Sequence, residues 1–76
     1  MSNVPQISGK KLIKALSRIG FQVVRQKGSH IRLSRVYRGK KQLITVPDHK
    51  VIRKGTLVNG ILKPIRLSLD DLKKLL

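Results

Sequence analysis

The spacing of apolar residues along this chain changes twice, and the changes mark out its elements. Leu12, Ala15, Leu16 and Ile19 recur at i, i+3, i+4 and i+7, which predicts an amphipathic helix. Ser8 is a suitable N-cap for it, with Ile7 and Leu12 at the staple positions N′ and N4. Gly20 supplies a natural stop. Beyond Gly20 the spacing drops to that of strands. Phe21–Gln26 leads to a turn at Lys27-Gly28. Ser29–Tyr37 then alternates, with Ile31 and Leu33 on one face and His30, Arg32 and Ser34 on the other. Arg38-Gly39-Lys40 is a hairpin signal, and Gln42–Val46 reads as a third strand closed by Pro47. Connections this short join antiparallel neighbours only, so the middle of the chain is a three-stranded meander.

The helical spacing then returns. After a polar loop at Asp48-His49-Lys50, Leu57, Val58, Ile61 and Leu62 form a second helical stripe that starts near Lys54-Gly55-Thr56. Pro64 is expected to end it, and Gly60 inside it costs about 1 kcal/mol relative to Ala. Ser68-Leu69-Asp70-Asp71 is a variant capping box that opens a short last helix, Leu69–Leu76. The predicted class is α+β: a three-stranded antiparallel sheet with helices packed on one face. The order is α-β-β-β-α plus the short C-terminal helix. The other sheet face is left to solvent or a ligand. Residues 1–76 form one domain, with residues 1–6 expected as a flexible N-terminus. At 76 residues the core is small, burying about 60% of the unfolded surface.

Charge changes this picture most. The chain has 18 Lys+Arg against 3 Asp+Glu, a formal net charge of +15. Its natural complement is a polyanion, with nucleic acid foremost. The cations are spread among apolar residues throughout, so this is no disordered basic tail. No apolar run reaches the ~20 residues of a membrane span, and no helix joins a basic face to large aromatic anchors. There is neither a signal-peptide pattern at the N-terminus nor any cysteine, which suits a cytoplasmic location.

Elimination narrows the chemistry. The three acids are Asp48, Asp70 and Asp71, and the last two are accounted for as helix-start residues. No carboxylate cluster remains to hold Mg²⁺. His30 and His49 alone are poor material for zinc, so neither metal nor cofactor is expected. Phe21 and Tyr37 are the two aromatics, too few for a base-stacking platform. Histidine and cations are left. An imidazole titrating near ~6.5 when unperturbed can take or give a proton at neutral pH. RNA carries its own nucleophile, the 2′-hydroxyl, so one histidine with cations on the phosphate could cleave it without metal. DNA lacks that hydroxyl. His30, at the start of a strand after Gly28-Ser29, is the catalytic candidate. Lys10, Lys11, Lys27, Gly28, Ser29 and Arg32 are the RNA-binding candidates. Lys10 and Lys11 sit in a first helical turn, where the macrodipole disfavours cations by about 0.3–1 kcal/mol each, which a bound anion would offset. A lone strand histidine is more often a surface residue than a catalyst. On the residues alone, non-catalytic RNA binding leads and catalysis stays open.

A resemblance shifts that balance. Ser8-Gly9-Lys10-Lys11-Leu12-Ile13, Gly20-Phe21, Arg25-Gln26-Lys27-Gly28-Ser29-His30, Thr45-Val46-Pro47, Lys54-Gly55-Thr56-Leu57 and Ile61-Leu62-Lys63 occur in that order. Together they resemble the HicA family of toxin mRNA interferases over roughly residues 8–70. The resemblance implies a double-stranded-RNA-binding-like fold and metal-independent cleavage of mRNA. It also implies neutralisation by a HicB-type acidic antitoxin, and it places the family's essential histidine at His30. Two segments depart from the family pattern: Lys63-Pro64-Ile65-Arg66, and the basic hairpin turn Arg38-Gly39-Lys40-Lys41.

Overall fold

The computed structural model describes residues 4–76. The first three residues of the expected flexible N-terminus lie outside the described residues, and Val4 packs against the core. The first helix, α1, spans Gly9–Ser17, and its N-cap is Ser8, whose side chain accepts the Lys11 N–H at 3.1 Å. Leu12, Ala15 and Leu16 are buried as their spacing requires. Ile19 is half-buried, because the helix ends at Ser17 and Arg18–Gly20 form a turn. Gly20 reverses the chain there with a φ of +100°.

Three strands follow: β1 (Gln22–Lys27), β2 (His30–Tyr37) and β3 (Lys40–Pro47). They form one antiparallel sheet in the order β1-β2-β3. Each strand lies within a residue or two of its expected limits. Phe21 falls just before β1 and is buried in the core. Gly28-Ser29 joins β1 to β2 with a positive φ at its first position alone, the pattern of a type II′ turn. Arg38-Gly39 joins β2 to β3 with positive φ at both, the type I′ pattern. Ile31 and Leu33 of β2, with Ile44 and Val46 of β3, face the helices and are buried.

The second helical stripe takes a form its spacing does not announce. From Thr56 to Leu62 the backbone is a π-helix, and the Lys63 N–H bonds the Val58 carbonyl five residues back. A 3₁₀ turn at Lys63–Ile65 follows, with Pro64 near its start, so the proline tightens the chain where an outright stop was expected. Pro64 favours the wider turn. It has no N–H to give the Gly60 carbonyl in α register. Leu57, Ile61, Leu62 and Ile65 are all buried in this arrangement. The last helix, α2, spans Leu69–Leu75, capped by Ser68, which accepts the Asp71 N–H at 3.0 Å.

A Cβ added at Gly60 would meet nothing nearer than the Thr56 methyl at 4.0 Å. Gly60→Ala is therefore expected to stabilise the fold by about 0.4–1 kcal/mol, chiefly by restricting the unfolded chain. A urea midpoint that falls would show that the π-turn depends on glycine.

Helical cover of the sheet is incomplete. All six residues of β1 are exposed, including Val23 and Val24, although Val23 pairs with Leu33 and so shares its core-side face. A bulge at Val24 breaks the pairing register there. The helices bury the inner faces of β2 and β3 and leave β1 bare.

Candidate nucleic-acid interface

The open sheet face is built by the two turns. A two-residue turn at Gly28-Ser29 pairs Lys27 with His30 and therefore Arg25 with Arg32. The turn at Arg38-Gly39 pairs Arg32 with Thr45 and His30 with Pro47. Cross-strand partners share a face. Arg25, Lys27, His30, Arg32 and Thr45 accordingly line one shallow depression of about 280 Å³ on the side away from the helices. All five are exposed.

This arrangement is electrostatically unfavourable by itself. Arg25 stands directly opposite Arg32, and a like-charge pair across strands costs stability. An anion lying between them removes the repulsion and gains two charge-assisted contacts. His30 lines the same depression, two positions from Arg32.

Backbone hydrogen bonds fix this corner of the molecule. The Asp48 N–H donates to the Ser29 carbonyl at 2.7 Å, fastening the loop after β3 to the turn before β2. The Gly9 N–H donates to the His49 carbonyl at 2.9 Å, which brings the start of α1 against the same loop. In the turn, the Gln26 side chain donates to the Gly28 carbonyl at 3.3 Å.

Of the residues singled out from sequence, the structure brings Lys27, His30 and Arg32 together in the depression. Gly28 and Ser29 form the turn that sets their register. Lys10 and Lys11 do not line the depression. They are exposed on the first turn of α1, beside the loop that follows β3. His49 contributes its backbone carbonyl to that loop, and its side chain is exposed. Arg25 and Thr45 are additions that sequence reading missed. Counting outward from each two-residue turn would have found both.

Arg35 has a different task. Its guanidinium donates to the Ile19 carbonyl at 2.9 Å and to the Gln42 side chain at 2.6 Å. It rests on the Phe21 ring at 4.7 Å and the Tyr37 ring at 4.4 Å from their centroids. This cation closes the end of α1 against the sheet.

Among the described residues, no group of three or more His, Cys, Asp or Glu is placed to hold a metal ion. No described helix is long and apolar enough to cross a membrane. The fold and the site thus define a small α+β domain with a cationic, histidine-bearing sheet face. A family model described as the HicA toxin of bacterial toxin-antitoxin systems matches residues 9–66, most of the chain, and the chain belongs to that family. Membership makes it a toxin with an antitoxin partner. No curated protein and no solved structure matches significantly.

Proposed function

We propose that this toxin is a metal-independent endoribonuclease that cuts mRNA with His30 as its proton-transfer residue. The observation that carries this reading is the placement of His30 in an open depression shared with Arg25, Lys27 and Arg32. In the reaction, the RNA 2′-oxygen attacks the adjacent phosphorus and the bond to the 5′-oxygen breaks. The 2′-hydroxyl loses a proton and the departing 5′-oxygen gains one. The imidazole of His30 serves one of these transfers, and the arginines and Lys27 stabilise the negative charge that builds on the phosphate. Lys10 and Lys11 extend the phosphate-binding surface past the loop at Asp48.

The test is RNA cleavage by the purified protein with and without EDTA, on ribo- and deoxyribo-oligonucleotides. Cutting unchanged by chelator and confined to RNA is expected. Activity lost in EDTA and restored by Mg²⁺, or efficient cutting of DNA, overturns the mechanism. Binding without any cleavage would put a non-catalytic RNA-binding module in its place.

Replacing Lys10, Lys11, Lys27 and Arg32 by Gln should weaken binding evenly across RNA sequences. It should also flatten the dependence of log K on log salt by about 0.7 for each phosphate of a single strand that is no longer neutralised. An unchanged slope in fluorescence anisotropy removes this surface from the reading.

The antitoxin is proposed to be an acidic, HicB-type protein that covers the open sheet face. The net charge of +15 would speed its association to as much as ~10⁸–10⁹ M⁻¹s⁻¹ at low salt.

A further inference from the structure

At the far end of β2, on the other side of the sheet from His30, lies a second and larger groove, of about 860 Å³. It runs between the Arg38-Gly39 hairpin and the turn that follows the π-helix. Arg35, Arg38, Lys40, Lys41 and Arg66 line it, with Tyr37 in its wall and Asp71 as the carboxylate among them. At about 3.3 Å per residue, β2 separates its Tyr37 end from His30 by roughly 23 Å.

Two of these arginines occupy backbone positions that suit glycine. Arg38 has a φ of 51° at the first central position of a type I′ turn, where Asn, Asp or Gly is the rule. Arg66 has a φ of 55° in the left-handed cap of the 3₁₀ turn, where Gly is the rule. A left-handed conformation is strained for a residue with a Cβ. The same strain appears at two turns far apart in sequence, and both side chains line one groove. Neither turn needs an arginine for its geometry. Charge in the groove is what the two arginines have in common.

We infer that this groove is a second phosphate-binding site, which holds the RNA backbone at a distance from His30. The inference rests on the proposed RNA-directed function. The groove suits phosphate better than a base or a peptide anchor. The Tyr37 ring already carries the Arg35 and Arg38 guanidiniums at 4.4 and 5.3 Å from its centroid, so its face is engaged. Of the apolar residues in the lining, Ile65 is buried in the core, Ile19 and Leu67 are half-buried, and Pro64 is exposed. Arg38, Lys40, Lys41 and Arg66 are the exposed cations around this lining, against the single carboxylate of Asp71, and such side chains bind phosphates without reading sequence. Because the groove and the His30 depression lie at opposite ends and on opposite faces of β2, an RNA engaged in both must wrap the sheet or be folded.

The experiment uses Arg38→Gly and Arg66→Gly, singly and together. Each substitution removes a charge and relieves the strained backbone, so the variants are expected to melt at or above the wild-type temperature. Binding of a single-stranded 2′-O-methyl RNA, which cannot be cleaved, is measured by anisotropy over a salt series. It is measured in the wild type, in the double variant, and in each with His30→Ala. The double variant should bind more weakly at low salt, with a log–log slope smaller by about 1.4, or 0.7 for each of two phosphates. His30→Ala should leave that difference unchanged. Wild-type affinity and slope in the double variant overturn the groove alone. Wild-type protein that does not bind RNA at all overturns the groove together with the functional reading. Weakened association with the purified antitoxin, at undiminished RNA affinity, assigns the groove to the protein partner and also overturns the inference.

Discussion

Replacing His30 with Ala should reduce RNA cleavage by about 10²–10⁴-fold, the usual worth of a positioned acid or base, and should abolish growth arrest in cells. The fold should survive. His30 is exposed, faces away from the buried Ile31 and Leu33, and stands next to a turn held by backbone hydrogen bonds. Removing its imidazole leaves no cavity, and stability should stay within about 0.5 kcal/mol of wild type. RNA affinity should fall little, because Arg25, Lys27 and Arg32 remain. His49→Ala is the matching control. It deletes the exposed ring, keeps the carbonyl that holds Gly9, and should keep the activity. A His30→Ala protein that still cuts at nearly the wild-type rate would end the assignment of His30 as the proton-transfer residue.

The second large effect comes from a residue with no side chain. Gly9 opens α1, where helix propensity alone favours Ala by about 1 kcal/mol. Packing opposes it. A Cβ at Gly9 would overlap the Pro47 carbonyl oxygen, and would lie 3.0 Å from the Pro47 carbonyl carbon and 3.2 Å from the Asp48 Cα. All three are backbone atoms, so no rotamer change relieves the overlap. Moving the helix away would break the hydrogen bond from the Gly9 N–H to the His49 carbonyl. Overpacking against flexible neighbours costs about 1–3 kcal/mol, and this clash belongs at the upper end. Gly9→Ala is therefore expected to lose about 2 kcal/mol net, or roughly 8–16 °C in Tm for a domain this small. Cleavage should fall as well, because the clash is with Pro47, the cross-strand partner of His30. A Tm at or above that of wild type would mean that α1 slides along β3 without cost. The same substitution at Gly60 is expected to stabilise, so the pair separates close approach from propensity.

Much of this was legible because the signals are local. Ser8 and Ser68 announce their helices through the N–H groups three residues on, and both caps form. The alternation in β2 placed His30 and Arg32 on one face and Ile31 and Leu33 on the other, and the burial pattern agrees. What escaped depends on distant parts of the chain. Arg35 shares the odd-numbered face of β2 with Ile31 and Leu33, and the carbonyl that satisfies it belongs to Ile19, sixteen residues away. The π-helix escaped because Leu57, Val58, Ile61 and Leu62 fit an α stripe equally well, and only the hydrogen-bond register separates the two. The exposure of β1 escaped because Val23 and Val24 look like any strand residues. Whether a helix reaches over them is decided by its length and docking, which the strand's own sequence does not encode.

That bare strand divides the site into two halves of unequal permanence. His30, Arg32 and Thr45 sit on strands whose inner faces are buried in the core, so parting them should cost nearly as much as global unfolding. Arg25 and Lys27 sit on β1, whose side chains are all exposed and which is held mainly by its ladder to β2. Such a strand can peel away while the rest stays folded, at a free energy well below that of global unfolding. Each peeling event would take two of the proposed phosphate-contacting cations with it and leave the imidazole in place. RNA spanning Arg25 and Arg32 would bridge the rigid strand to the loose one and hold the edge shut. In this domain an RNA held at the proposed site would itself be part of what completes the sheet.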